Sequence, residues 1–171
     1  MSQLQALADS ATAVLSSFED TLRSITDASL HQADPEGGWT VAQIVSHVHL
    51  SGILFIGDLE RLRHHDHLFM FREELGHDAV GAPPPSATEA ADRMASLGIA
   101  LSDCLGSGDD AELAKTVDVP PFGVLTMGVL APGIIAHLAG HARTSARDLA
   151  QTRRDHLIFP AIESAFTGTV T

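Results

Sequence analysis

Hydrophobic residues recur at helical spacing along most of the chain. Between Leu4 and Ile25 they follow one another at intervals of three or four residues, which predicts an amphipathic helix from about residue 3 to the low thirties. Ser2 and Gln5 have the spacing of a capping box at its start. The segment DPEGG at 34–38 is expected to end this helix, because proline and paired glycines break helical structure.

A second helix is predicted to begin after Thr40, with Gln43 as its capping partner. Its pattern, VAQIVSHVHLSGILFIGDLERLRHH, is apolar on more than one face, as in a helix buried between neighbours. The pattern leaves its end open, either soon after the HH pair or beyond DHLFMFREEL near Gly76. A loop with three consecutive prolines follows over 76–85.

Two further helices are predicted in the second half. The third opens at Ser86, with Glu89 at the capping-box position, and closes at 106–110. Residues 111–125 predict an extended connection that is longer than a plain bundle loop requires.

The fourth helix is predicted from near Thr126 to about residue 157. Pro132 and Gly133 are expected to kink it or to delay its start, and Pro160 to stop it. Four long helical segments with almost no period-two alternation predict an all-α fold, a four-helix bundle with a long crossover connection. A chain of 171 residues suits a single domain over 1–171.

Charge and composition narrow the classes of partner. The net charge is −12, from 10 basic and 22 acidic residues. Such a surface repels nucleic-acid phosphates and anionic membranes, so neither partner is expected. The N-terminus lacks the pattern of a signal peptide, and a cytoplasmic protein is expected. The single cysteine, Cys104, argues against a disulfide framework or Cys-rich zinc site and is interpreted as a small buried residue.

The ten histidines are the main candidates for chemistry. His137 and His141 are four residues apart on the fourth predicted helix, so both imidazoles project from one face and can hold one metal ion. Apolar neighbours indicate that this stretch is buried, where imidazole nitrogens need partners. The pattern HxxxH alone is a weak signal, and two unrelated histidines are the alternative.

A partner for that pair is available on the second predicted helix. His47 and His49 point about 200° apart, so only one of them can face the same site. More polar surroundings favour His47. The remaining group, His64, His65 and His67 with His77 beyond, is interpreted as a solvated helix end rather than a metal tract.

Two segments resemble the DinB-like (DinB/YfiT) family. GGWTVAQIVSHVHLSG is similar to its W-[ST] segment with a first histidine, and PPFGVLTMGVLAPGIIAHLAGHARTSARDLAQ to its final helix bearing H-x-x-x-H. The resemblance implies a four-helix bundle, a frequent homodimer, and a divalent metal, commonly zinc or nickel, held by three histidines. Those ligands fall on His47, His137 and His141. The residues between His137 and His141 are LAG, whereas many relatives have acidic or further His residues there. The resemblance therefore assigns no acid–base partner.

Three protein ligands leave a coordination position for water or substrate, as in catalytic metal sites. Characterised relatives include mycothiol-dependent isomerases and bacillithiol- or mycothiol-dependent S-transferases. The resemblance therefore implies a metal-dependent enzyme that acts on a small molecule with a low-molecular-weight thiol. The alternatives are a metal-dependent hydrolase that uses bound hydroxide and a non-enzymatic stress-response bundle that binds metal or ligand.

Five further residues are candidates for supporting roles. Asp148 can orient a ligand imidazole, although an ion pair with a nearby arginine is preferred. Asp58 can line the pocket or pair with an arginine. Arg143 and Arg147 can hold a carboxylate substrate or lie on an exposed face. Trp39 can wall a pocket, but a hydrophobic staple at the helix start is preferred.

Overall fold

Five helices and three short strands make up the described part of the chain. The computed structural model describes residues 2–33, 38–70, 81–120 and 122–147. The predicted all-α bundle is confirmed, since four long helices dominate and the strands form only a small sheet. The elements are α1 (Gln3–Arg23), α2 (Asp27–Leu30), α3 (Val41–Arg63), β1 (His67–Phe69), α4 (Ala87–Gly106), β2 (Thr116–Val119), β3 (Gly123–Thr126) and α5 (Met127–Arg147).

The four long helices surround one apolar core. Helices α1 and α3 each pack against both α4 and α5, which places α1 diagonally opposite α3. The stripes predicted from spacing face inward, and the largest side chains buried there include Phe18, Phe55, Met94 and Leu101. Because α3 and α5 are neighbours, side chains on their facing surfaces can meet.

The predicted crossover runs between α4 and α5 and is anchored at the end of the bundle where α1 begins. Asp110, in a 3₁₀ turn at Asp110–Ala114, accepts hydrogen bonds from the amides of Gln3 and Leu4 at 2.9 and 3.0 Å. These amides lack partners within α1. Lys115 Nζ donates to the carbonyl of Leu62 at the end of α3, so the connection joins two helix ends.

Three predicted helix starts are confirmed by their caps. The hydroxyls of Ser2, Thr40 and Ser86 each accept the backbone amide three residues on. Only Thr40 forms the reciprocal box, in which Gln43 Oε1 accepts from the Thr40 amide. Glu89 pairs instead with an arginine one turn later. Helix α3 therefore begins at a defined residue, which sets the direction of every side chain along it.

One predicted helix is shorter than its hydrophobic pattern indicated, and the second helix, whose end the pattern left open, stops at the earlier of the two possible ends. The first ends at Arg23 rather than in the low thirties, and Thr26 caps the separate helix α2 through the Ser29 amide. Hydroxyl side chains in this stretch offer the backbone partners that compete with a helix. The second helix ends at Arg63, and His67–Phe69 forms a strand instead of continuing the helix. Residues 71–80 lie outside the described ranges.

The prediction of a plain extended connection over 111–125 is only partly right. It begins within the 3₁₀ turn and continues as β2 and β3, an antiparallel pair, while β1 pairs with β2 in parallel. Gly123, at φ 80°, makes the turn into β3. The strands have three or four residues each, too few to give a clear period-two signal.

Helix α5 begins at Met127, which confirms the predicted start near Thr126. Of the two effects expected at Pro132 and Gly133, a kink or a delayed start, the delayed start is wrong. Pro132 lies within the first two turns and is exposed. The predicted stop near residue 157 lies outside the described residues.

Helix α3 is the one described helix long and apolar enough to cross a membrane by length and composition. However, 56% of its most apolar window is buried against the rest of the protein. That burial fits the core helix of a water-soluble bundle.

Candidate metal centre

Three histidines predicted to act together lie together in the structure. His47 of α3 and His137 and His141 of α5 form the only group of metal-ligating side chains within the described ranges that is arranged to hold one ion. One nitrogen from each ring lies within 4.8 Å of the other two. The cluster spans two helices that are neighbours in the bundle but 90 residues apart in sequence.

The start of α3 positions His47. The Thr40–Gln43 box begins the helix, and almost every side chain in the next two turns is buried. His47 is itself only 5% exposed. His49 is less buried, and burial lowers its pKa with a further contribution from Arg93. The prediction that His47, rather than His49, faces the late histidine pair is confirmed.

The other two rings come from successive turns of α5. His137 is 5% exposed and lies among the buried residues Ile135 and Leu138. His141 is more exposed as a whole residue, but its Nε2 atom is buried. The i, i+4 spacing brings the two ring centroids to 4.5 Å, with the planes at 84°. The helix itself therefore supplies two converging imidazoles.

Distances within the cluster suit a shared ion. His47 Nε2 and His137 Nε2 are 3.1 Å apart and within hydrogen-bonding distance of each other, with the donor set by the tautomers of the two rings. Two nitrogens that each bind one zinc ion at about 2.0–2.1 Å in tetrahedral geometry are about 3.3–3.4 Å apart. The Nδ1 atom of His137 is buried and has no hydrogen-bond partner in the described part of the chain. An ion bound at Nε2 does not satisfy this atom, because the two nitrogens of an imidazole ring point in different directions.

His137 and His141, the two members of the triad on α5, are electrically neutral at physiological pH. Burial is the largest cause that lowers the pKa of His137 to about 2, and the neighbouring His141 and His47 contribute to the same shift. Burial and His47 lower the pKa of His141 to about 3. Neutral imidazole is the form that binds metals. The rings of His137 and His141 therefore bind protons weakly, and each presents a nitrogen lone pair that can bind a cation.

Trp39 packs directly against this cluster. Its ring centroid lies 4.8 Å from that of His47 and 6.0 Å from that of His141, nearly parallel to the latter. The preferred prediction, a hydrophobic staple, does not include this contact. Trp39 precedes the helix cap, so helical periodicity does not report where its ring lies. One indication of this contact was available in the sequence, namely that Trp39 stands only eight residues before His47.

The other candidates lie elsewhere or outside the described residues. Asp58 is buried and forms an ion pair with Arg61 at 3.6 Å, one of the two roles predicted for it. Arg143 is exposed and lines a groove of about 280 Å³ between α1 and α5. Asp148 lies outside the described residues, as does the side chain of Arg147.

Among the residues that the structure describes, the other histidines and the cysteine do not join the triad. His64 and His65 are exposed at the end of α3, as predicted, whereas His67 lies on β1 and its Nδ1 is 2.9 Å from the Thr116 hydroxyl. His77 lies outside the described ranges. Cys104 is buried, as predicted, and its burial raises the pKa of the thiol to about 11.

Comparison with known proteins agrees with this arrangement. The family model described as the DinB superfamily matches residues 10–145, which is more than half of the chain and includes all three histidines. No curated protein and no solved structure matches the chain.

Proposed function

This chain belongs to the DinB superfamily, and on that premise we propose that it is a metal-dependent enzyme of the thiol-dependent S-transferase or isomerase type. His47, His137 and His141 hold its divalent ion, zinc or nickel. The observation that supports this proposal most directly is the buried convergence of three imidazoles from two helices.

The residues present fit such an ion. Zinc and nickel favour imidazole nitrogen, and the three donors lie within 4.8 Å of one another. With two of the rings held neutral by burial, the site needs little proton release before it binds a cation.

Three histidines leave room for a further ligand. A bound divalent ion supplies a Lewis acid that holds a coordinated thiol as thiolate near neutral pH. Three neutral donors leave the full divalent charge available to such an anion. The buried walls of the site exclude water, which strengthens the attraction between charges inside it. The described residues add no carboxylate to the cluster.

Metal analysis tests the site. Wild-type protein and the variants His47→Ala, His137→Ala and His141→Ala are stripped with chelator, reloaded with Zn²⁺ or Ni²⁺, desalted and analysed for bound metal. We expect about one ion per chain in the wild type and large losses in each variant. His65→Ala removes an exposed histidine as the matched control. Unchanged metal content in all three triad variants would overturn the assignment.

Activity assays separate the proposed chemistry from its alternatives. The loaded protein is given an electrophilic substrate with and without mycothiol or bacillithiol. Turnover that needs both metal and thiol supports the transferase proposal. Metal-dependent hydrolysis without thiol favours a hydrolase instead. Metal binding with no turnover in a broad substrate panel favours a non-enzymatic binding bundle.

A further inference from the structure

We infer that Trp39 is a positioning residue for the proposed metal centre, holding the imidazoles of His47 and His141 in the orientation in which they share one ion. This inference rests on the metal site of the proposed function. It adds a residue that does not ligate metal but sets how tightly the ligands bind it.

The contacts place the indole against two of the three ligand rings at once. Trp39 is tilted by 51° against the His47 ring at 4.8 Å and lies nearly parallel to His141, at 20° and 6.0 Å. The indole is itself 8% exposed and belongs to the apolar core. Thr40, the next residue, is fixed by the capping box. The indole is thus a rigid wall rather than a mobile surface side chain.

Ring orientation matters because an imidazole binds metal only along its nitrogen lone pair. A free histidine rotates about two side-chain bonds, and ordering these rotations costs free energy when an ion binds. An indole packed on two rings restricts them beforehand. The third ring, His137, packs edge-on against both others, at 5.2 and 4.5 Å between centroids. Restraint of two rings therefore restrains the whole triad.

Calorimetric titration with Ni²⁺ and Zn²⁺ tests the inference in chelator-treated protein. Trp39→Leu removes the flat wall, whereas Trp39→Phe keeps an aromatic face. We expect Trp39→Leu to weaken metal affinity by about 10–100-fold, the loss typical when residues that orient metal ligands are removed. Trp39→Phe is expected to restore most of that affinity. This rescue separates positioning of the rings from a general loss of packing.

Phe55→Leu supplies a matched control on α3, the helix that carries His47. Phe55 is 1% exposed and two turns beyond His47, so the substitution also removes a buried aromatic ring. It is expected to lower thermal stability without changing metal affinity. Equal affinity in Trp39→Leu and wild type, or equal weakening in Phe55→Leu, would overturn the positioning role. Failure of wild-type protein to bind either ion would instead overturn the proposed metal site itself.

Fluorescence gives a second readout in protein with Trp39 intact. Trp39 is the only tryptophan and the chain has no tyrosine, so its emission reports this one position. Ni²⁺, which quenches nearby indoles, should lower the emission along the same binding curve that calorimetry gives. His137→Ala should abolish the response. Calorimetric binding without any change in emission would contradict contact between Trp39 and the loaded centre, even if Trp39→Leu failed to fold.

Discussion

Lowering the pH from 7 to 5 is expected to destabilise the metal-free protein through His137 and His141. The folded-state pKa values are about 2 and about 3, against an ordinary value of 6.5. Below pH 6.5 the unfolded chain therefore binds protons that the folded protein does not. The free energy of unfolding falls as pH falls, since stability decreases wherever the unfolded state takes up more protons.

The size of the effect follows from these values. Between pH 7 and pH 5 each histidine contributes a loss of about 2 kcal/mol, and the two together about 4 kcal/mol. Domains commonly have only about 5–15 kcal/mol of stability in total. The loss is therefore a large fraction of the whole, and it continues down to about pH 3. A bound cation that holds the imidazoles neutral should oppose it.

Urea unfolding followed by circular dichroism at pH 7 and pH 5 measures this loss in chelator-treated protein. Other groups also titrate, so the informative quantity is the difference between wild type and His137→Leu. The variant should lose about 2 kcal/mol less than wild type over this range. His65→Gln, at an exposed histidine, should lose as much as wild type. An equal loss in wild type and His137→Leu would refute the reasoning.

Three further predictions concern the fold around the site, and guanidinium or urea unfolding checks the first two. Thr40→Ala removes the α3 cap and should lower the free energy of unfolding by about 1 kcal/mol; no loss would contradict the capping role. Gly123→Ala should lower the free energy of unfolding by about 1–2 kcal/mol, because φ is 80° there even though a methyl group would meet no atom. Gly57→Ala, on the exposed face of α3, should instead raise the free energy of unfolding by up to about 1 kcal/mol. Cys104, buried and with its pKa raised to about 11, should react slowly with a disulfide reagent at pH 8 until guanidinium unfolds the chain; fast labelling of folded protein would contradict its burial.

Much of the candidate site was predictable from local pattern. The i, i+4 spacing of His137 and His141 alone puts both rings on one helix face. The opposite directions of His47 and His49, with their different neighbours, selected His47. Pattern alone did not pair the two helices; the family resemblance supplied that link, and the packing of α3 against α5 agrees with it.

Some features could not be predicted because they depend on contacts between distant segments. The sheet combines strands of three or four residues from either side of α4, and segments that short have no clear period of their own. The end of α3 at Arg63 is likewise favoured by a distant residue, Lys115, whose ammonium group donates to the carbonyls of Leu62 and Arg63.

The sequence by itself determined that four long helices exist, where three of them begin, and which histidines share a face. These properties depend on neighbours within one or two turns. The tertiary structure decided that His47 meets the α5 pair in a buried place, and that Trp39 lies against two of the three rings. Burial by distant helices is also what keeps the late histidines neutral, because the cost of charging an imidazole depends on the water removed around it.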